Sequence, residues 1–294
     1  MDYVSLPFNP ADQLTPEEVI GSLPNHEALE HVCRIISGIS MVDNNPEIDE
    51  FVNNHDPGSL RKIVDEIRFA HHKQVFYYSV PGITTAALDA VDVTEINPTD
   101  GLTGAEIDQV IEAHGRSYVI CSVPEQSGQQ QFGRNEEFRE TTIGVITPGS
   151  DLLTVRAFDS GSADDTLRAI TEKADTIAGK SIRKSLFKQE FAERFIDEYR
   201  SLEFTNQDPK SAVGNVTVDA DLPKGIGTAL EDDLIQALRN RSDMRHTSSR
   251  VALSIPEKGV ITLSYEDTSV RFQKFTSEQR VLAVSDAVRA VVEE

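Results

Sequence analysis

Residues 182–204 read IRKSLFKQEFAERFIDEYRSLEF, and the way this stretch folds decides how the chain is assembled. Phe187, Phe191, Phe195, Tyr199 and Leu202 recur every three or four residues, which places their side chains on one face of a helix. The spacing predicts an amphipathic helix over 182–204 that links an earlier unit to a later one. Its aromatic stripe either packs on a core or docks a partner. In the second case Phe187, Phe191, Phe195 and Tyr199 are the partner face. The start of the stretch is also locally basic, with Lys180, Arg183, Lys184 and Lys188 in a chain that is otherwise acidic. Lys180, Lys184 and Lys188 lie four apart and share a helix side. That side is either a solvated flank or a contact for phosphate or nucleic acid, together with Arg183.

Upstream, residues 73–178 read as one α+β unit. A strand is predicted over 74–80, rich in β-branched and aromatic residues, and Pro81-Gly82 ends it. Leu102, Ile107, Val110 and Ile111 predict a helix over 103–114, closed by Gly115. Strands follow over 117–123, 141–147 and 152–158, with Pro148-Gly149-Ser150-Asp151 turning the last pair. Residues 124–135 are polar and Gly-rich, which predicts a surface loop. Ser162-Ala163-Asp164-Asp165 reads as the cap of a helix that turns Leu167, Ile170, Ala174 and Ile177 inward.

Downstream, residues 213–294 repeat that order. A strand over 213–219 precedes a helix near 226–239, then strands over 250–255, 259–265 and 270–275. A last helix follows, opened by the capping box Thr276-Ser277-Glu278-Gln279. Residues 1–72 predict a helical module, with Thr15-Pro16-Glu17-Glu18 and Asp56-Pro57 as helix starts. Its last helix carries Arg61, Lys62 and Arg68 beside Asp65 and Glu66, a poor match for a DNA-recognition helix. The predicted organisation is therefore α+β: a helical module (1–72), a first unit (73–178), a linking helix (179–212) and a second unit (213–294) in pseudo-duplicate.

The strand, helix, three strands and helix of each unit, and Val216-Thr217-Val218-Asp219-Ala220-Asp221-Leu222 at the start of the second, resemble the TATA-box-binding-protein-like architecture. The resemblance covers about residues 74–177 and 213–292, and it implies two halves forming one curved sheet backed by helices. The paired phenylalanines with which that family kinks DNA have no counterpart here, so no DNA-contacting residue is carried over.

Composition sets the environment. The 294 residues carry 49 Asp and Glu against 28 Lys and Arg, a formal net charge of −21. Of the basic residues, 18 are Arg and 10 are Lys. An acidic surplus that prefers Arg fits a halophilic cell with molar internal salt, where screening shortens self-repulsion. An ordinary acidic cytoplasmic protein has the same sign. The distinction matters because −21 argues against nucleic-acid binding in dilute salt but not in a halophile. Two cysteines, Cys33 and Cys121, exclude a disulfide framework and a cysteine-based zinc cluster. No apolar run reaches the length of a membrane span, and the N-terminus has no signal-peptide pattern, so a cytoplasmic protein is expected.

No motif assigns a reaction. Gly179-Lys180-Ser181 ends like a phosphate loop, but Ala174 stands where its leading glycine belongs. The seven histidines have no ligand spacing, and no serine elbow is present. No catalytic residue can be assigned, and no metal or cofactor is expected. The sequence points first to a non-enzymatic binding protein with a protein or nucleic-acid partner. The alternatives are a carboxylate-dependent hydrolase or transferase acting between the units, and a structural protein that assembles into an oligomer.

Overall fold

A computed structural model of the chain describes residues 74–83, 105–124, 139–174, 179–182, 190–210, 214–219, 233–255, 260–272 and 278–294. The predicted helical module, the loop over 125–135, and Phe187, Arg183, Lys184 and Lys188 lie outside the described residues. The described chain is mixed α+β: a large antiparallel sheet of eleven strands with four helices.

Its organising strand is β1 (Gln74–Ser79), QVFYYS. Four successive apolar and aromatic residues leave no polar face, and all four are buried. A strand with that pattern belongs in the middle of a sheet covered on both sides. β1 pairs on one edge with β5 (Leu152–Ala157) and on the other with β11 (Ser269–Phe272), both antiparallel. Two further strands lie beyond β5, then one at the edge: β4 (Arg139–Ile146), β3 (Arg116–Pro124) and β2 (Glu106–Ala113). Beyond β11 come β10 (Val260–Ser264), β9 (Met244–Leu253), β7 (Ile196–Asn206) and β8 (Asn215–Asp219). The short β6 (Lys180–Ser181) pairs with the end of β1, in line with β11.

Side chains of β1 alternate between two cores. Phe76 and Tyr78 join Leu153, Val155, Leu167 and Ile170 under helix α1 (Ser160–Lys173). Val75 and Tyr77 join Val270, Phe272, Val281 and Val288 under helix α4 (Glu278–Val292). The two helices therefore cover opposite faces of one sheet. α1 lies over β2–β5, while α4 and α3 (Asp233–Asn240) lie on the other face. The approach of α1 is close: Ile170 sits directly over Gly144 on β4, and a Cβ there would collide with its terminal methyl. Asp159, not the predicted Ser162 segment, caps α1, its carboxylate accepting from the Ser162 amide at 2.8 Å.

Two predicted helices are strands, for one physical reason. Among the described residues of the predicted helix over 182–204, a short helical turn, α2 (Ala192–Phe195), precedes β7. β7 contains two bulges, where Asp197 and Arg200 are inserted against β9: Ile196 faces Leu253, Tyr199 faces Val251 and Leu202 faces Ser249. An inserted residue restores the face after three positions rather than two. Ile196, Tyr199 and Leu202 thus share the buried face of a strand at helix-like spacing, while Asp197 and Arg200 are exposed. The predicted helix over 103–114 is likewise β2, with a bulge between Ile107 and Gln109, so that Ile107 and Val110 both pack inward. In the described residues the first unit accordingly has strand β2 where a helix was expected, and a strand joins the units where a linking helix was expected.

Candidate binding face of the sheet

Where the halves meet, charge is buried. Arg156 on β5 is fully buried, and Glu278 at the start of α4 is buried with 4% exposure. Arg156 Nη2 donates to Glu278 Oε1 at 2.6 Å, Nη1 donates to Oε2, and the Tyr118 hydroxyl on β3 donates to Oε1 at 2.7 Å. Burial would raise the Glu278 carboxyl, but the charge and hydrogen bonds of Arg156, with the Tyr118 hydroxyl, outweigh it and hold it below the ordinary carboxylate range. Burial, reinforced by the Glu278 charge, pushes the Tyr118 phenol far up. About two turns further along α4, Arg116 Nη2 donates to both carboxylate oxygens of Asp286 at 2.7 Å. These contacts clamp the last helix of the chain onto the first half of the sheet. The sequence signal was a lone arginine inside the otherwise apolar β5, which had to find a carboxylate somewhere.

A second polar contact lies in the other half. His246 Nε2 is 2.8 Å from Ser249 Oγ, and the imidazole stacks on Phe204 at 5.0 Å and meets Tyr265 edge-on at 4.8 Å. Ser249 is only 1% exposed, so its hydroxyl serves the core and has no approach for a substrate. Among the described residues, no cluster of His, Cys, Asp or Glu has the arrangement of a metal site, and no helix is long and apolar enough to cross a membrane.

Of the residues singled out from sequence, Lys180, Phe191, Phe195 and Tyr199 are described. Lys180 is exposed on β6, opposite Ser79. Phe191 and Tyr199 lie in the α4-side core at 1% and 3% exposure, and Phe195 is partly buried against it. The Phe191 and Phe195 rings pack 5.3 Å apart. Burial raises the Tyr199 phenol to about 12. In the described structure these rings stabilise the core.

The open surface is elsewhere. In the second half, α3 and α4 cover one face, and the other carries the outward residues of β7–β11: Ser201 and Glu203, Ser248 and Arg250, Thr262 and Ser264, and Arg271. Each of these is exposed or half-buried, whereas Ser269, on the same face two residues before Arg271 and opposite Ser264, is buried. The register aligns one row across the strands: Gln74 opposite Arg271, Arg271 opposite Thr262, Thr262 opposite Arg250, and Arg250 opposite Ser201. Directly opposed residues share a face, so this row points away from the core.

The chain matches no protein-family model and no curated protein. Arg250 and Arg271 stand two strand spacings apart, about 10 Å between Cα atoms. Neither reaches a carboxylate among the described residues. Arg271 Nη2 lies 3.4 Å from Gln74 Oε1, while nearby Arg200 and Arg245 are neutralised by Glu198 and Glu266. Sequence reading missed this pair because the two arginines are 21 positions apart and only register brings them together.

Proposed function

We propose that this is a non-enzymatic binding protein, with a protein or nucleic-acid partner, whose platform is the polar face of β7–β11. The observation that carries the reading is asymmetric cover: the first half has a helix on each face, whereas the described second half has helices on one face only. A polar sheet face with two arginines that reach no carboxylate among the described residues, in a chain of net charge −21, is a surface shaped for recognition. In this reading the two units are a pseudo-duplicate in which only the second is left open. The halophilic, cytoplasmic setting expected from composition belongs to the same proposal, and high salt would then weaken any purely ionic contact.

The carboxylate-enzyme reading is less well supported. The deeply buried carboxylate between the halves, Glu278, is held ionised by Arg156 and has no proton to give.

The test is a selection of displayed peptides on the full chain, with parallel titrations of labelled duplex DNA and RNA at several salt concentrations. Hydrogen exchange then maps each bound species. Protection confined to β7–β11 is the expected result. Protection only around α1, or no binding from either arm, would overturn the platform reading.

A further inference from the structure

The row across β1, β11, β10, β9 and β7 specifies its ligand more closely than a general polar face does. We propose that Arg250 and Arg271 form a two-pronged site for a phosphomonoester carried on a side chain of a protein partner, seated over Thr262. The inference rests on the platform reading above and names its partner chemistry.

Geometry supplies the first argument. The arginines occupy register positions on either side of Thr262, and both are exposed. A fully extended arginine reaches further than one strand spacing, so both guanidinium groups can meet above the central strand β10. Each guanidinium is a rigid fork that matches a tetrahedral oxyanion through paired hydrogen bonds. Gln74 already accepts from Arg271 at 3.4 Å and steadies that side chain near the row.

Charge supplies the second. Two converging cations match a single group of charge about −1.5 to −2, which is a phosphomonoester near neutral pH. A phosphodiester carries half that charge per group, and a polymer of them needs further cations along its path. Here the path ends: Arg245 is paired with Glu266, and Glu203 on the same face binds Ser248 and Asn215. The row also has no aromatic ring on which a base would stack. A phosphorylated side chain is favoured over nucleic acid on both counts.

Openness supplies the third. Small free ligands are held in concave sites that bury most of their surface. An exposed sheet face offers one anion contact and a broad polar border, which suits a charged group presented by a larger partner.

The experiment is calorimetric titration of the full chain with a seven-residue alanine peptide bearing a central phosphoserine. Its arms are the unphosphorylated peptide, free O-phosphoserine and a single-stranded oligonucleotide. The phosphopeptide should bind about tenfold or more tighter than its unphosphorylated form. Arg250→Gln and Arg271→Gln should each lower that affinity by about tenfold, and Arg245→Gln should leave it unchanged. Unfolding curves verify that each variant folds, as expected for exposed positions. A second readout is the amide spectrum, in which Thr262 and Arg271 should shift on binding. Undetectable binding by the phosphopeptide, equal binding by free O-phosphoserine, stronger binding by the oligonucleotide, or indifference to both arginine variants would each overturn the proposal. If unphosphorylated selected peptides still protect β7–β11 while the arginine variants change nothing, this site fails and the platform reading stands.

Discussion

Arg156 and Glu278, 122 residues apart in sequence, form a doubly hydrogen-bonded ion pair in the interior, and the Tyr118 hydroxyl completes it. Removing one partner of such a pair strands a charge away from water, at about 3–5 kcal/mol. Glu278→Leu should therefore lower unfolding free energy by roughly that amount in urea. Adding Arg156→Met should recover much of the loss, since an apolar pair of similar volume leaves no charge unpaired. A double variant no more stable than Glu278→Leu would show that the arginine had other essential work.

The same pair gives the protein an acid limit. Against burial, which pushes the other way, Arg156 and Tyr118 hold the folded Glu278 carboxyl below its ordinary value of 4.5. The unfolded chain then binds the proton first as pH falls, so the stability this group supplies is present above about pH 4.5 and drains away below it. Urea midpoints between pH 7 and pH 3 should fall, and Glu278→Gln should flatten part of that fall. Parallel curves for both proteins would refute the linkage.

Gly144 marks where α1 meets the sheet, beneath the fully buried Ile170. Gly144→Ala should cost about 1–3 kcal/mol through overpacking. Ile170→Val removes the offending methyl and should restore part of the loss in the double variant, measured by thermal unfolding.

Cys121 is buried on β3, and burial pushes its thiol up to about 12. In a Cys33→Ser background the native protein should not react with a thiol reagent at pH 8, and unfolding should expose one thiol. Fast reaction of the native protein would contradict the burial.

Arg200 offers a test of how β7 is read. Its side chain is exposed and paired with Glu198 at the surface, so Arg200→Ala should change stability by no more than about 1 kcal/mol. Deleting Arg200 removes the bulge and leaves Tyr199 and Leu202 two positions apart, on one face of a regular strand with the Val251 and Ser249 pairings kept. The deletion should leave the second half folded, with the dispersed amide signals of β9 and β10 retained, whereas in a helix it would turn every later residue by about 100° and loss of those signals would contradict the bulge.

That contrast also explains what was legible in the sequence. Strands with apolar, β-branched and aromatic runs and no bulge, such as β1 and β5, fall where their residues predict, as does α4 with its Val281, Val284, Val288 and Val291 stripe. The bulged strands β2 and β7 were read as helices because an inserted residue turns a period of two into a local spacing of three. Nothing in residues 196–204 taken alone separates the two readings: β9, some 50 positions later, supplies the partner that decides. The same limit hid the row of Arg250, Thr262 and Arg271, since register is a property of paired strands rather than of any one segment.

β1 has a consequence for how the protein is made. Its outer hydrogen-bond partners are β5, about 80 residues onward, and β11, almost 200 residues onward. During synthesis the first half can close β5 and α1 onto β1, but one edge and one face of that strand stay bare until β11 and α4 emerge. Val75 and Tyr77 wait through most of translation for the residues that cover them. Folding is then dominated by long-range closure, which is slow, and a chain truncated before α4 exposes an apolar strand prone to aggregate. The shared strand that unites the two cores thus makes the last fifteen-residue helix the step that completes both the fold and its protection.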